Sequence, residues 1–415
     1  VKSCCDEHHL LPIEDALAQM KTRVSSVTHI ERIGLTQALD RVLAHDLIAQ
    51  FNVPAQANSA MDGYAIHLDD THALPKSLRL IGSALAGHPF DSEVVPGTCI
   101  RIMTGAPIPA GANCVVMQEN VDVINAGDRQ FIKLNQHPRP LENIRQRGED
   151  IAEGDVVIAK GKRLNPLDIG LIASLGMAEV DVFRRLRIAV LSTGDELIPP
   201  GEALPSGSIY DSNRYSIIAL LQRLHVEVID VGLIPDQPDT LRNAFIDAAE
   251  QADAVISTGG VSVGDADYVK DVLGELGQIN FWKVAIKPGK PFAFGQLGQS
   301  YFFGLPGNPV SAMVTLHQLA LPILRHMAGE YIPPSITFTV KAESAIKKRI
   351  GRTEYQRGRL TNSEGNLYVN TTGAQGSGVM TSFSDANCYI VLECEQGSVD
   401  AHDLVNILPF DRFIQ

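Results

Sequence analysis

Three loops concentrate the residue types that could do chemistry. Ser192-Thr193-Gly194-Asp195-Glu196, Ser257-Thr258-Gly259-Gly260-Val261-Ser262 and Gly304-Leu305-Pro306-Gly307-Asn308-Pro309 each combine glycine with hydroxyl, amide or acidic side chains. Glycine lets backbone N–H groups converge on one point, hydroxyls add donors, and a helix that follows contributes the positive end of its dipole, so such loops suit oxyanions. Ser257, Gly259, Gly260, Ser262 and Pro306 are therefore candidate ligand-binding positions. None of the loops has the Walker or the GxGxxG spacing, so a kinase-like or hydride-transfer reading finds no support. Carboxylates stand close by, at Glu196, Asp236 and Asp267. A single acid at a helix start is ordinary dipole complementarity. Three along one sheet edge, beside phosphate-suited amides, fit Mg²⁺ bridging carboxylates to phosphate oxygens. Lys283 and Lys287 follow the next strand and would neutralise the same anions, and Lys287-Pro288-Gly289-Lys290-Pro291 fixes basic residues on a backbone with little freedom.

The elements that must position these loops are legible as short apolar runs. Ile188–Leu191, Ala254–Ile256 and Tyr301–Phe303 precede the three loops without alternating with polar residues, as strands covered on both faces require. Amphipathic segments separate them, so the region 186–330 is expected to be an α/β domain with a parallel, doubly wound sheet that binds ligands at its carboxyl edge. A helix is expected from Ser212 to Leu224, a strand from Glu227 to Val231, and a closing apolar helix from Pro309 to Met327 kinked by Pro322. Upstream, a helix from Pro12 carries Ile13, Leu17, Met20 and Val24 on one face, and a second is expected near Thr36. Residues 51–140 change to short strand-like runs such as Thr98–Met103 and Cys114–Met117, which reads as an inserted, mainly β domain. It would interrupt a discontinuous mixed scaffold domain formed by residues 1–50 and 141–185. Residues 331–415 read as a C-terminal, barrel-like β domain, with Gly373–Gly378 as a flexible connector.

Composition bounds the rest. The chain has 415 residues, 45% of them hydrophobic and 20% charged, which is a globular composition. A net charge of −13 argues against broad nucleic-acid binding, so basic clusters act locally if they act at all. No apolar run reaches membrane-spanning length and no secretory-signal layout is present, which makes the cytoplasm the expected compartment. Six cysteines show no zinc spacing and are read as reduced thiols. In the inserted region, Asp62 beside Gly63 is either a site carboxylate or the cap of its own turn. Arg145-Gln146-Arg147-Gly148-Glu149-Asp150 reads by composition as a surface salt-bridge patch.

Taken together, the motifs resemble the molybdopterin molybdenumtransferase family, which includes MoeA, the plant Cnx1 E domain and the gephyrin E domain. The resemblance rests on Asn58-Ser59-Ala60-Met61-Asp62-Gly63-Tyr64-Ala65, Arg101-Ile102-Met103-Thr104-Gly105-Ala106, Arg147-Gly148-Glu149-Asp150, Ser192–Leu197, Gly259–Gly264, Lys287–Pro291 and Gly304–Ser311, in family order across almost the whole chain. It implies four subdomains, a homodimer with clefts shared between subunits, and a last step of molybdenum cofactor synthesis. In that step molybdate enters adenylylated molybdopterin and AMP leaves by Mg²⁺-dependent hydrolysis. On this resemblance Asp195, Glu196, Asp236 and Asp267 position metal or pterin phosphate, the first three as metal candidates, and Lys283 acts with them. Lys287, Lys290, Ser311, Arg357 and Ser377 hold molybdate or the anionic substrate, while Asp62, Thr104 and Asp150 complete the cleft from the partner subunit. Alternatives are a molybdopterin adenylyltransferase, which shares the central fold but leaves the extra domains unexplained, and a gephyrin-like scaffold role. A molybdopterin adenylyltransferase is also a possible partner protein.

Overall fold

The computed structural model describes residues 10–71, 75–260 and 268–415. These divide into two compact units: residues 1–45, 160–166 and 179–415 form the larger, and residues 46–159 and 167–178 the smaller.

The larger unit begins with helix α1 (Ile13–Arg23), whose buried residues Ile13, Ala16 and Met20 recur at helical spacing. Its centre is a six-stranded sheet built from β1 (Arg187–Thr193), β2 (Glu227–Ile234), β3 (Ala254–Thr258), β4 (Gly277–Lys283), β5 (Pro291–Leu297) and β6 (Ser300–Leu305), in the order β2-β1-β3-β6-β5-β4. Alternate residues of β1 serve two different cores. Ile188 and Val190 pack with Ile217, Leu220 and Leu221 of α2 (Asn213–Arg223) and with Val310 and Val314 of α5 (Pro309–Thr315). Ala189 and Leu191 face the other way, onto Leu241 and Phe245 of α3 (Pro238–Gln251) and Val269, Val272 and Leu273 of α4 (Tyr268–Leu276). Both sheet faces are buried, which is why the strand sequences are apolar without alternation. Phe245 meets Phe302 edge to face, with ring centroids 5.8 Å apart.

Four strands, β2, β1, β3 and β6, are parallel as expected, but β5 runs antiparallel to both β6 and β4. The reason is local: only two residues separate β5 from β6, too few for a crossover helix, and Gly298 supplies the positive φ of a hairpin turn. The helix expected near Thr36 is a single 3₁₀ turn, Leu35–Gln37. Val42 and Leu43 instead bridge to Arg163 and Val182, so tertiary pairing overrides their helical spacing. The closing helix breaks into α5, a π-helical turn at Leu316–Ala320 and a final helix at Leu321–Met327. Pro322 has no N–H to donate into the preceding turn.

The C-terminal strands Phe338–Ala342, Thr353–Ser363, Asn366–Thr371, Cys388–Leu392 and Leu404–Pro409 close on themselves, because Thr353–Ser363 pairs with both Asn366–Thr371 and Cys388–Leu392. This is the expected barrel, filled by Val340, Val369, Ile390 and Ile407. The Gly373–Gly378 segment is fastened rather than a free connector: the Gln375 side chain accepts from Arg357 N, and Ser377 O accepts from Val310 N. Cys394 is disulfide-bonded, which corrects the expectation of six reduced thiols, whereas Cys99, Cys114 and Cys388 are buried free thiols.

The smaller unit contains a mixed six-stranded sheet in the spatial order Cys114–Met117, Gly63–Ile66, Thr98–Ile102, Lys76–Ala84, Arg129–Leu134, Val121–Ala126. Ile66, Leu78, Cys99 and Ile132 fill one of its cores.

Candidate active site

The carboxyl ends of β1, β3 and β6 open into a cavity of about 870 Å³ lined by Thr193, Glu196, Asn213, Asp236, Gly259 and Pro306, among others. Each strand delivers its loop to this edge because the three are parallel and in register, Ser192 beside Thr258 and Thr258 beside Leu305. At Gly194 φ is +145°, and a Cβ there would lie 2.7 Å from Glu196 Oε2, so only glycine lets the Glu196 carboxylate fold back over the loop. Asp195 and Asp236 are joined directly, Asp236 N donating to Asp195 Oδ1 at 3.1 Å. Burial and the neighbouring charges of Asp195 and Glu196 hold the Asp236 carboxyl above the usual aspartate range. Among the described residues no group of three or more His, Cys, Asp and Glu side chains is gathered tightly enough to hold a metal by itself. The three carboxylates nevertheless share one edge with negative charge in excess, which fits a divalent cation that takes one or two protein carboxylates and completes its shell with phosphate and water.

Two hydroxyls at this edge, Thr193 Oγ1 and Ser257 Oγ, are buried with no hydrogen-bond partner among the described residues. From sequence Ser257 is a candidate but Thr193 is not. The start of α2 lies within one residue of the expected Ser212, but no role is assigned from sequence to Asp211, Asn213 or Arg214 there. There Asp211 accepts from Ser192 Oγ at 3.1 Å and from Arg214 Nε at 2.9 Å, and Arg214 reaches on to Asp230 at 2.6 Å. Asp211 and Arg214 are almost fully buried, and they fix the helix end that carries Asn213 into the cavity. The Asp211-Ser212-Asn213 run just before an apolar periodic segment was the available signal.

A basic annex lies next to the cavity's Pro309 and Gly378. Arg357 is 1% exposed; Nε donates to Ser382 Oγ at 3.1 Å and Nη2 to Gly376 O at 3.2 Å. Burial pulls its pKa down to about 10, and no carboxylate bonds to it among the described residues. Ser377 and Ser311 are close by, through the bond from Val310 N to Ser377 O. The Lys287–Pro291 turn packs on α5 at Gly289, where a Cβ would meet Thr315 Cγ2 at 2.4 Å. Lys287 is engaged with Glu354 at 2.8 Å rather than free, while Lys283 and Lys290 are exposed and do not line the cavity. Asp267 and Ser262 lie outside the described residues.

In the smaller unit, Asp62 Oδ1 accepts from Thr104 N at 2.7 Å and from Thr104 Oγ1 at 2.8 Å. Those bonds, backbone first, with the Arg101 charge, hold the Asp62 carboxyl below the usual range. Asp62 therefore ties two motifs together across 42 residues instead of capping its own turn. Asp150 is exposed, its backbone N–H held by Val53 O.

Three family patterns match in succession: the MoeA N-terminal region (domain I and II) at residues 11–176, the probable molybdopterin binding domain at 189–326, and the MoeA C-terminal region (domain IV) at 339–410. The chain is 47% identical over 411 residues to the molybdopterin molybdenumtransferase of Haemophilus influenzae, covering 98% of this chain and 100% of that protein. It is 29% identical to gephyrin of Dictyostelium discoideum, over 97% of this chain and 62% of that protein. The solved structure of the molybdopterin biosynthesis moeA protein from Pyrococcus horikoshii OT3 superposes with a TM-score of 0.83 at 28% identity, covering 97% of this chain and 100% of that one.

Proposed function

The chain belongs to the molybdopterin molybdenumtransferase family, enzymes of molybdenum cofactor biosynthesis that insert molybdenum, and we propose that its substrates are adenylylated molybdopterin and molybdate. The observation that carries this reading is the convergence of Asp195, Glu196 and Asp236 beside the glycine loops, with the Asp236 carboxyl held above the usual aspartate range by burial and its two acidic neighbours. Such an edge calls for a cation and an anionic ligand together. Asp236, Glu196 and Asp195 would hold Mg²⁺, which when bound supplies positive charge to phosphoryl oxygens as AMP departs. The amides of Gly259 and Gly260 would orient the pyrophosphate and Thr193 Oγ1 would donate to it, so that a water oxygen bonds to the pterin-side phosphorus and gives up a proton to solvent while the bridging P–O bond breaks and AMP leaves with its electron pair. Arg357, a buried cation with no carboxylate bonded to it among the described residues, would hold molybdate with Ser377 and Lys290. There the two dithiolene thiols would form Mo–S bonds as two Mo–O bonds break, the departing oxygens leaving as two waters with the two thiol protons and two protons from solvent.

We assign Asp62, Thr104 and Asp150 to the same cleft, contributed by the partner subunit of a homodimer, and the cytoplasm as the compartment. Among the described residues no helix is long and apolar enough to cross a membrane. The shared cleft is tested by mixing inactive Asp62→Ala with inactive Glu196→Ala: hybrid dimers hold one intact cleft, so activity returns. Subunit exchange without activity contradicts it.

The substrate reading is tested by titrating molybdate at fixed adenylylated pterin with Lys290→Ala and Arg357→Met. Half-saturating molybdate should rise about tenfold or more in each, equivalent to about 1.4 kcal/mol, with excess molybdate restoring much of the rate. An unchanged half-saturation point removes that residue from the site.

A further inference from the structure

Asn213 stands between two of the three loops and its amide is fixed by both. Nδ2 donates to Gly307 O at 2.7 Å and to Thr258 Oγ1 at 2.8 Å. A carbonyl oxygen only accepts, so the contact with Gly307 sets which end of the amide is nitrogen and leaves no flipped alternative. Thr258 Oγ1 passes its own hydrogen to Pro306 O at 3.3 Å, which confirms that it accepts from Asn213. Both Nδ2 hydrogens are thereby used on the protein. What Asn213 has left to offer is Oδ1, which accepts no hydrogen bond among the described residues and belongs to a side chain lining the cavity. The Asp211–Arg214–Asp230 chain behind it locks the helix start, so the oxygen cannot swing away cheaply.

We infer that Asn213 is a specificity-determining residue whose Oδ1 accepts a hydrogen bond from a neutral O–H or N–H group of the nucleotide part of the substrate. The inference rests on the proposed reading of the cleft. A bare carbonyl oxygen repels phosphate, so it divides the cavity: anionic groups belong with the loop amides and the cation, and the hydroxyl- or amine-bearing part belongs opposite Asn213. A site with a fixed acceptor rejects analogues that lack the matching donor, because its oxygen is then desolvated without a partner.

The test is calorimetric binding of AMP, 2′-deoxy-AMP, 3′-deoxy-AMP and inosine monophosphate to the full chain with Mg²⁺. The wild type should bind one of the three analogues about tenfold more weakly than AMP, and the analogue that fails identifies the donor as a particular ribose hydroxyl or the purine amine. In Asn213→Leu that ratio should fall below about threefold, because the acceptor is gone for every ligand alike. Asn213→Ala removes the same acceptor without adding a branched apolar side chain and should lower the ratio likewise. It serves if the leucine variant does not fold. Discrimination that persists in either variant, or a wild type that binds AMP and all three analogues equally, overturns the role of Asn213 and leaves the cleft's function standing. A wild type that binds no AMP overturns both.

Discussion

Two acidic places in the larger unit, Glu330 buried and Asp236 half-buried, show opposite electrostatics. Glu330 is 8% exposed and receives Arg163 at 2.7 Å on one oxygen and Arg325 at 2.6 Å on the other. Burial pushes its carboxyl up, but the bonds and charges of the two arginines outweigh it, and the net shift is downward. Asp236 also feels burial, yet its nearest charges are two more carboxylates, and its shift is upward. Glu330 is neutralised within the chain and clamps residues 163 and 325 together. No cation pairs with Asp236 among the described residues, and on the proposed reading its counter-charge comes with a ligand. The same residue chemistry is structural where arginine answers it and, on the proposed reading, functional where no described residue does.

The largest effect should come from breaking the neutralised place. Glu330→Ala leaves Arg163, whose side chain is 8% exposed, and Arg325 without their carboxylate. About 3–5 kcal/mol should be lost, read as a lower denaturant midpoint in urea unfolding. A wild-type midpoint would show that this pair is not the clamp described.

Asp236→Asn should do the reverse. It removes like-charge crowding, so the melting temperature in metal-free buffer should equal or exceed that of the wild type, while cofactor formation falls about tenfold or more. Loss of stability together with activity would place Asp236 on the structural side of the comparison.

The smallest effect sharpens the contrast by its sign with pH. A carboxylate with a depressed folded pKa contributes stability above its unfolded value, near 4.3, and that contribution is lost as pH falls toward the folded pKa. Removing Glu330 should therefore matter less and less as the solution is acidified through that window. For Asp236 the folded pKa is raised, so its destabilising contribution is complete above the folded pKa and disappears as pH falls toward the ordinary aspartate value. The melting-temperature advantage of Asp236→Asn should shrink over the same descent. Two pH profiles of melting temperature with the same slope would contradict the contrast.

The cleft was legible in the sequence because its parts are local. Apolar runs followed by Ser-Thr-Gly can be read within a few residues, and the strand spacing puts Glu196, Asp236 and Gly259 on one edge. What sequence could not supply was long-range pairing. Asn213 acts through contacts 45 and 94 residues away, and Lys287 is engaged by Glu354 from the barrel, 67 residues on. The turn at Leu35–Gln37 was misread as a helix for the same reason, since Val42 and Leu43 answer to strands far along the chain.

Molybdenum insertion at the carboxylate-bearing sheet edge is tested most directly at Glu196. It is exposed, packs nothing in the core, and lines the cavity. Molybdate-dependent release of AMP from adenylylated molybdopterin by Glu196→Ala should fall to about a tenth of the wild-type rate or less, at an unchanged melting temperature. A fully folded variant that keeps more than about a tenth of the rate would contradict the account.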